Sequence, residues 1–383
     1  MHGARGRAAG LERARTVRGL ILYEHFCPQH VAALRVACAY FGEQGDTLLP
    51  LEYARHSPGY GWTADDAPRG PGWLQLGFLP YGGRAPLGLA AVLAQVLEQE
   101  VDVVAVNGWY DPLVWALVPA LRAAGRRVVL VADSFQPATR SPARDVLRRA
   151  FLRGVDAVFT AGSRHVAFYA EAGVPAERIH LGCDVVDNAH FERGPREAPA
   201  AGRRVVFGTA ARLVPEKNLE RGLEAFDLAA RVAPVAIEWR IAGRGALAEN
   251  LRARAAGLVA RVDLVGFVGY QAMPDFLGGL DVYWQPSAYE PWGLAVNEAA
   301  AAGLPILVSD ACGAGPDLVG AENGWVHDPT SVEAMAAALT AAVAARARYP
   351  ALGSASRRRA ASWGPERFAH GLHGAMRAAT EGS

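Results

Sequence analysis

Two glutamates separated by seven residues, Glu290 and Glu298, follow an apolar run at residues 280–286. The run predicts a buried strand. The segment after it predicts a helix that begins at Pro291, where a missing N–H costs nothing, and ends at Gly303 before a second proline. The order is therefore strand, loop and helix, with one glutamate before the helix start and the other two turns along it.

The helix start is suited to an anion. Gly293 has no side chain, so a ligand can approach its amide and those of Leu294 and Ala295. A helix N-terminus also offers free N–H groups with about half a positive charge. Carboxylates accept hydrogen bonds from hydroxyl groups, often two at once. A sugar nucleotide combines phosphates with hydroxyls at both ends, so it matches this pattern. The alternative is that both glutamates are ordinary helix-terminal and surface acids.

A second candidate anion site follows the strand predicted at residues 204–210. Arg212 offers a planar fork for phosphate oxygens, and Lys217 offers a compact charge. Lys217 is the only lysine in a chain that otherwise uses arginine throughout. Because both residues come just after a strand, both can reach the edge of the sheet where ligands bind; the alternative is an exposed pair on a loop.

Taken together, these motifs resemble those of the family 4 retaining glycosyltransferases, also called glycosyl transferases group 1, which have the GT-B fold. The resemblance lies in Arg-Leu followed by Glu-Lys-Asn, in Pro-Ser before the first glutamate, and in the spacing of the two glutamates. It implies that Glu290 faces the donor sugar, that Glu298 faces the nucleotide ribose, and that Arg212 and Lys217 bind the diphosphate. Ala211 stands where the family usually has glycine.

The same resemblance assigns weaker roles to two further positions. Gly243 lies in a Gly-Arg-Gly turn that borders the nucleotide in the family, although glycine at such turns is common for backbone reasons alone. Val268 lies in a segment that resembles the one whose backbone edge, in the family, contacts the base of the nucleotide. Trp292 precedes Gly293 where the family usually has Phe-Gly after its Glu-Pro or Glu-Gly, which changes the local wall and keeps the glycine.

The first half of the chain departs from the family. Where members usually have a Gly-Gly loop after the first strand, this chain has residues 24–30, in which His25 or His30 could contact the acceptor or a phosphate, or serve only the structure. Where many members have a histidine near the sugar, this chain has Asp133. We expect Asp133 to face the donor sugar or the acceptor; the alternative is a helix or turn cap.

Strand and helix patterns alternate along the whole chain, which predicts an α/β protein with parallel sheets covered on both faces. The resemblance makes this the GT-B fold, with two Rossmann-like domains facing each other across a cleft. We assign a disordered tail to residues 1–16, an acceptor-binding domain to 17–190, a linker to 191–203, a nucleotide-sugar domain to 204–360, and a helix returning to the first domain to 361–383. Residues 55–86, rich in aromatic side chains, predict a loop that could stack on an acceptor.

Composition narrows the functional classes. The formal net charge of +1 gives no general reason to expect nucleic acid binding, and the sequence has neither a secretory signal nor an apolar run long enough to span a bilayer. Four scattered cysteines predict reduced thiols of a cytoplasmic protein. Arg140, Arg144 and Arg148 recur at helical spacing, which predicts either a solvated face or peripheral contact with an acidic membrane.

The sequence therefore predicts a retaining glycosyltransferase that moves a sugar from a nucleotide-diphosphate sugar to a hydroxyl of a glycan, glycolipid or small molecule. Arg212, Lys217, Glu290 and Asp133 are the predicted catalytic residues. No cofactor or metal is expected, because cations occupy the place of a metal and an Asp-x-Asp motif is missing. The alternatives are a nucleotide-sugar epimerase or hydrolase on the same fold and an inactive binding protein.

Overall fold

The computed structural model describes residues 16–54, 68–79, 86–109, 111–135, 142–194 and 197–381. The predicted disordered tail, apart from Thr16, lies outside these ranges. Arg140 and a large part of the predicted aromatic loop also lie outside them.

The first half of the described chain forms one parallel sheet. Its strands are β1 (Arg18–Tyr23), β2 (Thr47–Ala54), β3 (Leu74–Leu79), β4 (Val103–Asn107), β5 (Arg127–Ala132), β6 (Ala157–Thr160) and β7 (Ile179–Leu181). Its helices are α1 (Pro28–Glu43), α2 (Pro86–Glu98), α3 (Pro112–Ala123), α4 (Pro142–Leu152), α5 (Ser163–Glu171) and α6 (Asn188–Phe191). The spatial order is β3-β2-β1-β4-β5-β6-β7, so the chain starts near the middle and winds outward in both directions.

The second half forms another parallel sheet. Its strands are β8 (Val205–Ala210), β9 (Ile237–Ala242), β10 (Arg261–Gly266), β11 (Val282–Gln285), β12 (Ile306–Ser309) and β13 (Gly324–His327), in the order β10-β9-β8-β11-β12-β13. Its helices are α7 (Leu219–Val232), α8 (Ala248–Ala255), α9 (Met273–Gly278), α10 (Leu294–Ala301), α11 (Gly315–Leu318), α12 (Val332–Ala344), α13 (Tyr349–Ala360) and α14 (Pro365–Glu381). Short 3-10 turns lie at Ala176–Arg178, Pro215–Lys217, Tyr270–Ala272 and Arg346–Arg348.

The central strands are apolar along their whole length because helices cover both faces of each sheet. β4 and β5 are valine-rich and almost completely buried, and β8, β11 and β12 are buried in the same way. The predicted fold class, α/β with two Rossmann-like parallel sheets, is confirmed.

The C-terminal helix α14 packs against α1 and the first sheet, although it follows the second sheet in the chain. A buried carboxylate, Asp46, holds it there. Asp46 accepts hydrogen bonds from the Val17 amide at 2.8 Å, from His373 Nε2 at 2.8 Å and from the Arg377 guanidinium at 2.9 and 3.0 Å. These donors lower the pKa of Asp46 against the opposing effect of its burial. The last helix therefore links the two ends of the chain.

Some sequence predictions about secondary structure were wrong. β3 lies within residues 55–86, which the sequence predicted as a loop. The helix predicted from Pro291 begins instead at Leu294, because Glu290 forms a parallel bridge with Cys312 and the carbonyl of Trp292 accepts a hydrogen bond from Ala314 N at 3.0 Å. The backbone of residues 290–292 is therefore paired with a neighbouring loop and cannot start a helix.

The predicted basic face on α4 is only partly correct. The Arg148 guanidinium lies over the rings of Trp109 and Phe168, at 5.3 and 4.9 Å, and pairs with Asp145 at 3.1 Å. Its side chain is 15 % exposed, so Arg148 belongs to the packing of the helix rather than to an outer face. Arg144 is exposed.

Among the residues that the structure describes, no helix combines the length and the apolar character that crossing a bilayer requires.

Candidate active site

A cavity of about 520 Å³ lies between the two sheets, at the carboxyl ends of their strands. This edge is where open α/β sheets bind ligands, because loops and helix N-termini meet there. The cavity is lined by every residue that the sequence singled out for the site: Asp133, Arg212, Lys217, Gly243, Val268, Glu290, Gly293, Leu294, Ala295 and Glu298. The structure thus brings these residues into one space, and the role predicted for each remains a prediction.

A close charged contact in the cavity joins Lys217 to Glu290. The distance from Lys217 Nζ to Glu290 Oε2 is 2.6 Å, and both side chains are about nine-tenths buried. The same oxygen is within hydrogen-bond distance of Gln285 Nε2 at 3.0 Å and Ser287 Oγ at 3.2 Å. Three donors therefore hold this carboxylate in one orientation.

Lys217 itself is positioned by the turn that carries it. It ends the 3-10 turn Pro215–Lys217, and the following Asn218 has a left-handed backbone, with φ of 57°. The Asn218 side chain donates to the carbonyls of Pro286 and Pro329, at 3.1 and 2.9 Å. These bonds tie the turn to the loop that leads to Glu290, so the cation and the carboxylate share one rigid support.

The N-terminus of α10 opens onto the cavity. Gly293 caps the helix in a left-handed conformation, with φ of 104°, which strains any side chain. A Cβ at this position would lie 3.1 Å from Glu290 Cγ and 3.2 Å from Cys312 Sγ. The amides of Leu294 and Ala295 lie in the first turn, where no carbonyl of the helix can accept from them. They remain available to an anion.

Glu298 lies further along α10 and is 6 % exposed. Its Oε1 atom accepts a hydrogen bond of 2.8 Å from Gln29 Nε2, which belongs to the first domain. Burial raises the pKa of Glu298 to about 7, against the lowering effect of that hydrogen bond. The carboxyl group is therefore close to half-ionised at neutral pH.

Gly243 and Val268 lie together at another part of the cavity wall. A Cβ on Gly243 would lie 1.8 Å from the carbonyl oxygen of Ala211, and its own amide donates to Gly266 O at 2.7 Å. The glycine is thus required by close backbone packing. Beside it, the Arg244 guanidinium lies 4.9 Å from the Phe267 ring centroid, a planar surface that the sequence analysis did not identify.

The two histidines of the β1–α1 loop line the cavity as well. His30 Nδ1 accepts from the Cys27 amide at 3.4 Å, so the ring caps α1, and burial lowers its pKa to about 4. His25 Nδ1 lies 3.4 Å from Glu52 Oε2. Each ring therefore has a neighbour within its own domain, Cys27 for His30 and Glu52 for His25, and each ring also lines the cavity.

A third histidine, which the sequence analysis did not single out, connects the two domains behind the cavity. His165 Nδ1 accepts from the Gly162 amide at 3.2 Å, which leaves the proton on Nε2. Nε2 then donates to the carbonyls of Asp133 at 2.5 Å and Pro291 at 3.1 Å. Burial lowers the pKa of His165, which favours this neutral form. The residue that follows Glu290 is thereby joined to the end of β5.

Family models match both halves of the chain. The model for "Glycosyl transferase 4-like domain" matches residues 27–182, and the model for "Glycosyl transferases group 1" matches residues 191–359. The chain belongs to the family 4, group 1 glycosyltransferases. A transferase needs a substrate site, and the cavity between the two sheets, where the predicted motif residues meet, provides one.

Relatives of this glycosyltransferase act on several substrates. A GDP-mannose-dependent alpha-(1-6)-phosphatidylinositol monomannoside mannosyltransferase of Mycobacterium tuberculosis is 29 % identical over 293 residues, which cover 72 % of this chain and 69 % of that protein. A glycogen synthase of the same organism is 31 % identical over 163 residues, covering 42 % of this chain and 38 % of that protein.

Solved structures of other glycosyltransferases share the fold. Sucrose-phosphate synthase from Thermosynechococcus elongatus aligns with a TM-score of 0.71 and 18 % identity over 96 % of this chain and 100 % of that one. Anabaena HepE, solved in complex with UDP and glucose, aligns with a TM-score of 0.70 and 17 % identity over 93 % of this chain and 98 % of that one. At this identity the likeness establishes the GT-B fold.

One lining residue of the glycosyltransferase was missed because its strand is shorter than predicted. The sequence predicts a strand over residues 179–186, which would make Asp184 part of the sheet. The structure ends β7 at Leu181, so Asp184 lies three residues past the strand end and lines the cavity. An acid soon after a parallel strand is the signal that could have identified it.

We expect the affinity for a nucleotide sugar to depend on pH through Glu298. A carboxylate accepts hydrogen bonds from two hydroxyls more strongly than the protonated form, in which one of the two oxygens has become a donor, so binding favours the ionised form. With a pKa of about 7, the dissociation constant should decrease by about tenfold between pH 6 and pH 8.

Calorimetric titration with a nucleotide sugar measures this dependence, and Glu298→Gln is the control in which it should disappear. An unchanged dissociation constant across this range in the unsubstituted protein would contradict the assignment of Glu298 to hydroxyl binding.

Proposed function

We propose that this glycosyltransferase moves a sugar from a nucleotide-diphosphate sugar to an acceptor hydroxyl with retention of anomeric configuration and without a metal ion. The observation that carries the proposal is the meeting of Lys217, Arg212, Glu290 and the open N-terminus of α10 in one cavity between the domains. These groups supply the two kinds of contact that a sugar nucleotide needs.

The first kind of contact is cationic. Breaking the bond between the sugar and the diphosphate leaves negative charge on the phosphate oxygens. Arg212, Lys217 and the amides of Leu294 and Ala295 are placed to stabilise that charge, and they need little reorganisation because the helix and the turn already hold them. Stabilisation by protein cations and amides supports a reaction that needs no divalent ion.

The second kind of contact is made by carboxyl groups. Glu290 is assigned to the hydroxyls of the donor sugar, and Glu298 to the hydroxyls of the ribose. When the diphosphate binds Lys217, the 2.6 Å contact with Glu290 can be replaced by a phosphate oxygen on one side and sugar hydroxyls on the other. Both charged groups then keep partners, which a buried ion pair requires.

The relatives support the donor class and a hydroxylated acceptor. The mannosyltransferase relative is described as GDP-mannose-dependent and as acting on a phosphatidylinositol monomannoside, and the other relative is a glycogen synthase. We therefore propose a sugar-bearing acceptor, either a glycolipid or a glycan, for this glycosyltransferase. The resemblance to retaining enzymes supports attack by the acceptor on the same face as the leaving group.

A donor screen followed by product analysis tests the proposed function. Thermal shift with a panel of nucleotide sugars should identify a donor, since a ligand at a hundred times its dissociation constant stabilises the folded protein by about 2.7 kcal/mol. Incubation of that donor with sugar acceptors in excess EDTA should give a product with the donor's anomeric configuration.

Other outcomes of this assay identify the alternatives. Conversion of the donor in the absence of any acceptor would indicate an epimerase or a hydrolase. An inverted product, or activity abolished by EDTA and restored by a divalent ion, would contradict the proposed mechanism. Donor binding without turnover across many acceptors would indicate a binding protein.

Lys217→Ala should lower kcat by about 100-fold or more, because removing one preorganised donor to developing charge typically costs 10²–10³ in rate. The matched control is Arg254→Ala. Arg254 forms ion pairs with Glu220 and Glu224 on the surface of the same domain, with its side chain 36 % exposed, so its removal should change neither rate nor stability appreciably. A Lys217→Ala rate within twofold of the unsubstituted enzyme would remove Lys217 from the reaction.

We also propose that α4 contacts an anionic membrane surface. Val146 and Leu147 are 67 % and 56 % exposed on this helix, beside the exposed Arg144 and Arg149. Apolar side chains flanked by basic ones suit the interface of an acidic bilayer. The relative that acts on a phosphatidylinositol monomannoside supports this location.

Val146→Asp with Leu147→Asp should lower the fraction of protein that sediments with phosphatidylserine-containing vesicles at least fivefold, since two apolar contacts with the bilayer are lost. Val232→Asp is the matched control, because Val232 is 65 % exposed on α7 of the other domain. Equal sedimentation of the two variants would exclude α4 as the membrane contact.

A further inference from the structure

A fixed turn at the end of β7 carries an acid that the proposed chemistry does not yet use. The amides of Gly182 and Cys183 both donate to the carbonyl of Thr160, at 2.8 and 3.2 Å. Gly182 has a φ of 111°, and a Cβ there would lie 2.8 Å from Arg367 Cγ on α14. The sheet and the last helix therefore fix the backbone from which the side chain of Asp184 extends.

Asp184 lines the cavity, and its Oδ2 atom has no hydrogen-bond partner among the residues that the structure describes. This atom is also inaccessible to solvent in the unliganded protein. Buried polar atoms in folded proteins nearly always have a partner, because an unmade bond destabilises the native state. An orphaned oxygen on the wall of a binding cavity therefore points to a ligand that supplies the missing bond.

The surroundings of Asp184 determine which ligand group fits. Burial raises the pKa of Asp184 well above its usual range, and the nearby Asp133 and Glu290 raise it further, against the lowering effect of a hydrogen bond with the Cys183 side chain; the raised pKa favours the protonated form. A protonated carboxyl group both donates and accepts hydrogen bonds, which is the bonding capacity of a hydroxyl group. A polyhydroxylated ligand matches it.

Asp184 belongs to the first domain, whereas the residues assigned to the donor belong to the second. Glu290 contributes to the same cavity from the second domain, where Lys217, Gln285 and Ser287 hold it. A sugar held by Glu290 would have Asp184 on the wall that the other domain supplies. The acceptor is the substrate that remains to be placed on that wall.

We propose that Asp184 binds the attacking hydroxyl of a sugar or polyol acceptor and orients it toward the donor sugar. This inference rests on the proposed function. In the transfer step the acceptor oxygen forms a bond to the anomeric carbon, the bond from that carbon to the diphosphate oxygen breaks, and the acceptor proton leaves with the diphosphate. Asp184 accepts the hydrogen bond of the acceptor hydroxyl before the step, that proton turns to the diphosphate oxygen during the step, and Asp184 has the same protonation state before and after.

Two variants test this role. Asp184→Ala removes the group, and Asp184→Asn keeps its volume. Each should lower kcat/KM for the acceptor at least tenfold, while the dissociation constant of the donor, measured by calorimetry, stays within twofold. The Tm of Asp184→Ala should stay level or rise, because no orphaned carboxyl oxygen is left inside the protein.

Asp187→Ala is the matched control. The Asp187 carboxylate, three residues further on, caps α6 by accepting from the amides of Ala189 and His190 at 3.2 and 3.4 Å. Its loss should lower Tm and leave transfer unchanged, the opposite pattern to the one expected for Asp184.

Full transfer by both Asp184 variants would overturn the inference. A fall in Tm together with loss of donor binding would also overturn it, because that pattern belongs to a structural residue. Failure of the proposed function looks different: the unsubstituted protein itself would then bind no nucleotide sugar or transfer none.

Discussion

The contact between Lys217 and Glu290 is the interaction on which the site depends. A buried ammonium and a buried carboxylate each cost several kcal/mol to desolvate, and mutual attraction offsets this only when further hydrogen bonds complete the geometry. Gln285 and Ser287 provide them for Glu290, and the turn anchored by Asn218 holds Lys217. The pair is therefore held by its own hydrogen bonds, and it keeps opposite charges at the cavity where we propose that a sugar nucleotide binds.

The position of this pair relative to the first domain depends on a small set of contacts across the cleft. His165 uses one N–H to join the carbonyls of Asp133 and Pro291, and the side chain of Ser163 donates to Asp317 Oδ2 at 3.0 Å. Burial keeps the histidine neutral, which this bonding pattern requires. Because these contacts lie directly behind Glu290, they fix the distance between the loop that carries Glu290 and the wall that carries Asp133.

The elements that sequence could predict are those with strong local signals. The apolar runs at residues 101–106 and 127–132 predict central strands, since buried parallel strands are apolar throughout, and the structure has β4 and β5 there. The family motifs located Arg212, Lys217, Glu290 and Glu298, and all four line the cavity. Their local spacing follows the backbone of a strand, a turn and a helix, so it can be recognised without knowledge of the rest of the fold.

The features that sequence missed are set by tertiary contacts. Pro291 is compatible with a helix start, but the pairing of Glu290 with Cys312 moves the start to Leu294. The spacing of Arg148 fits a basic face, but the rings of Trp109 and Phe168 draw it inward. The sequence predicts Asp184 inside a strand that the structure ends at Leu181, and its unpaired oxygen exists only in the folded protein. Helical and strand periods cannot reveal such features, because they describe neighbours along the chain and not neighbours in space.

The bond between Gln29 and Glu298 gives the cleft a further physical constraint. Gln29 lies at the N-terminus of α1 in the first domain, and it holds in the unliganded protein the carboxyl group assigned to the ribose. A ribose that binds Glu298 must share this acceptor with Gln29 or replace it. In either case the side-chain amide of Gln29 and the ribose hydroxyls bind the same carboxyl group. Occupancy of the nucleotide site and the contact between the domains are therefore thermodynamically coupled.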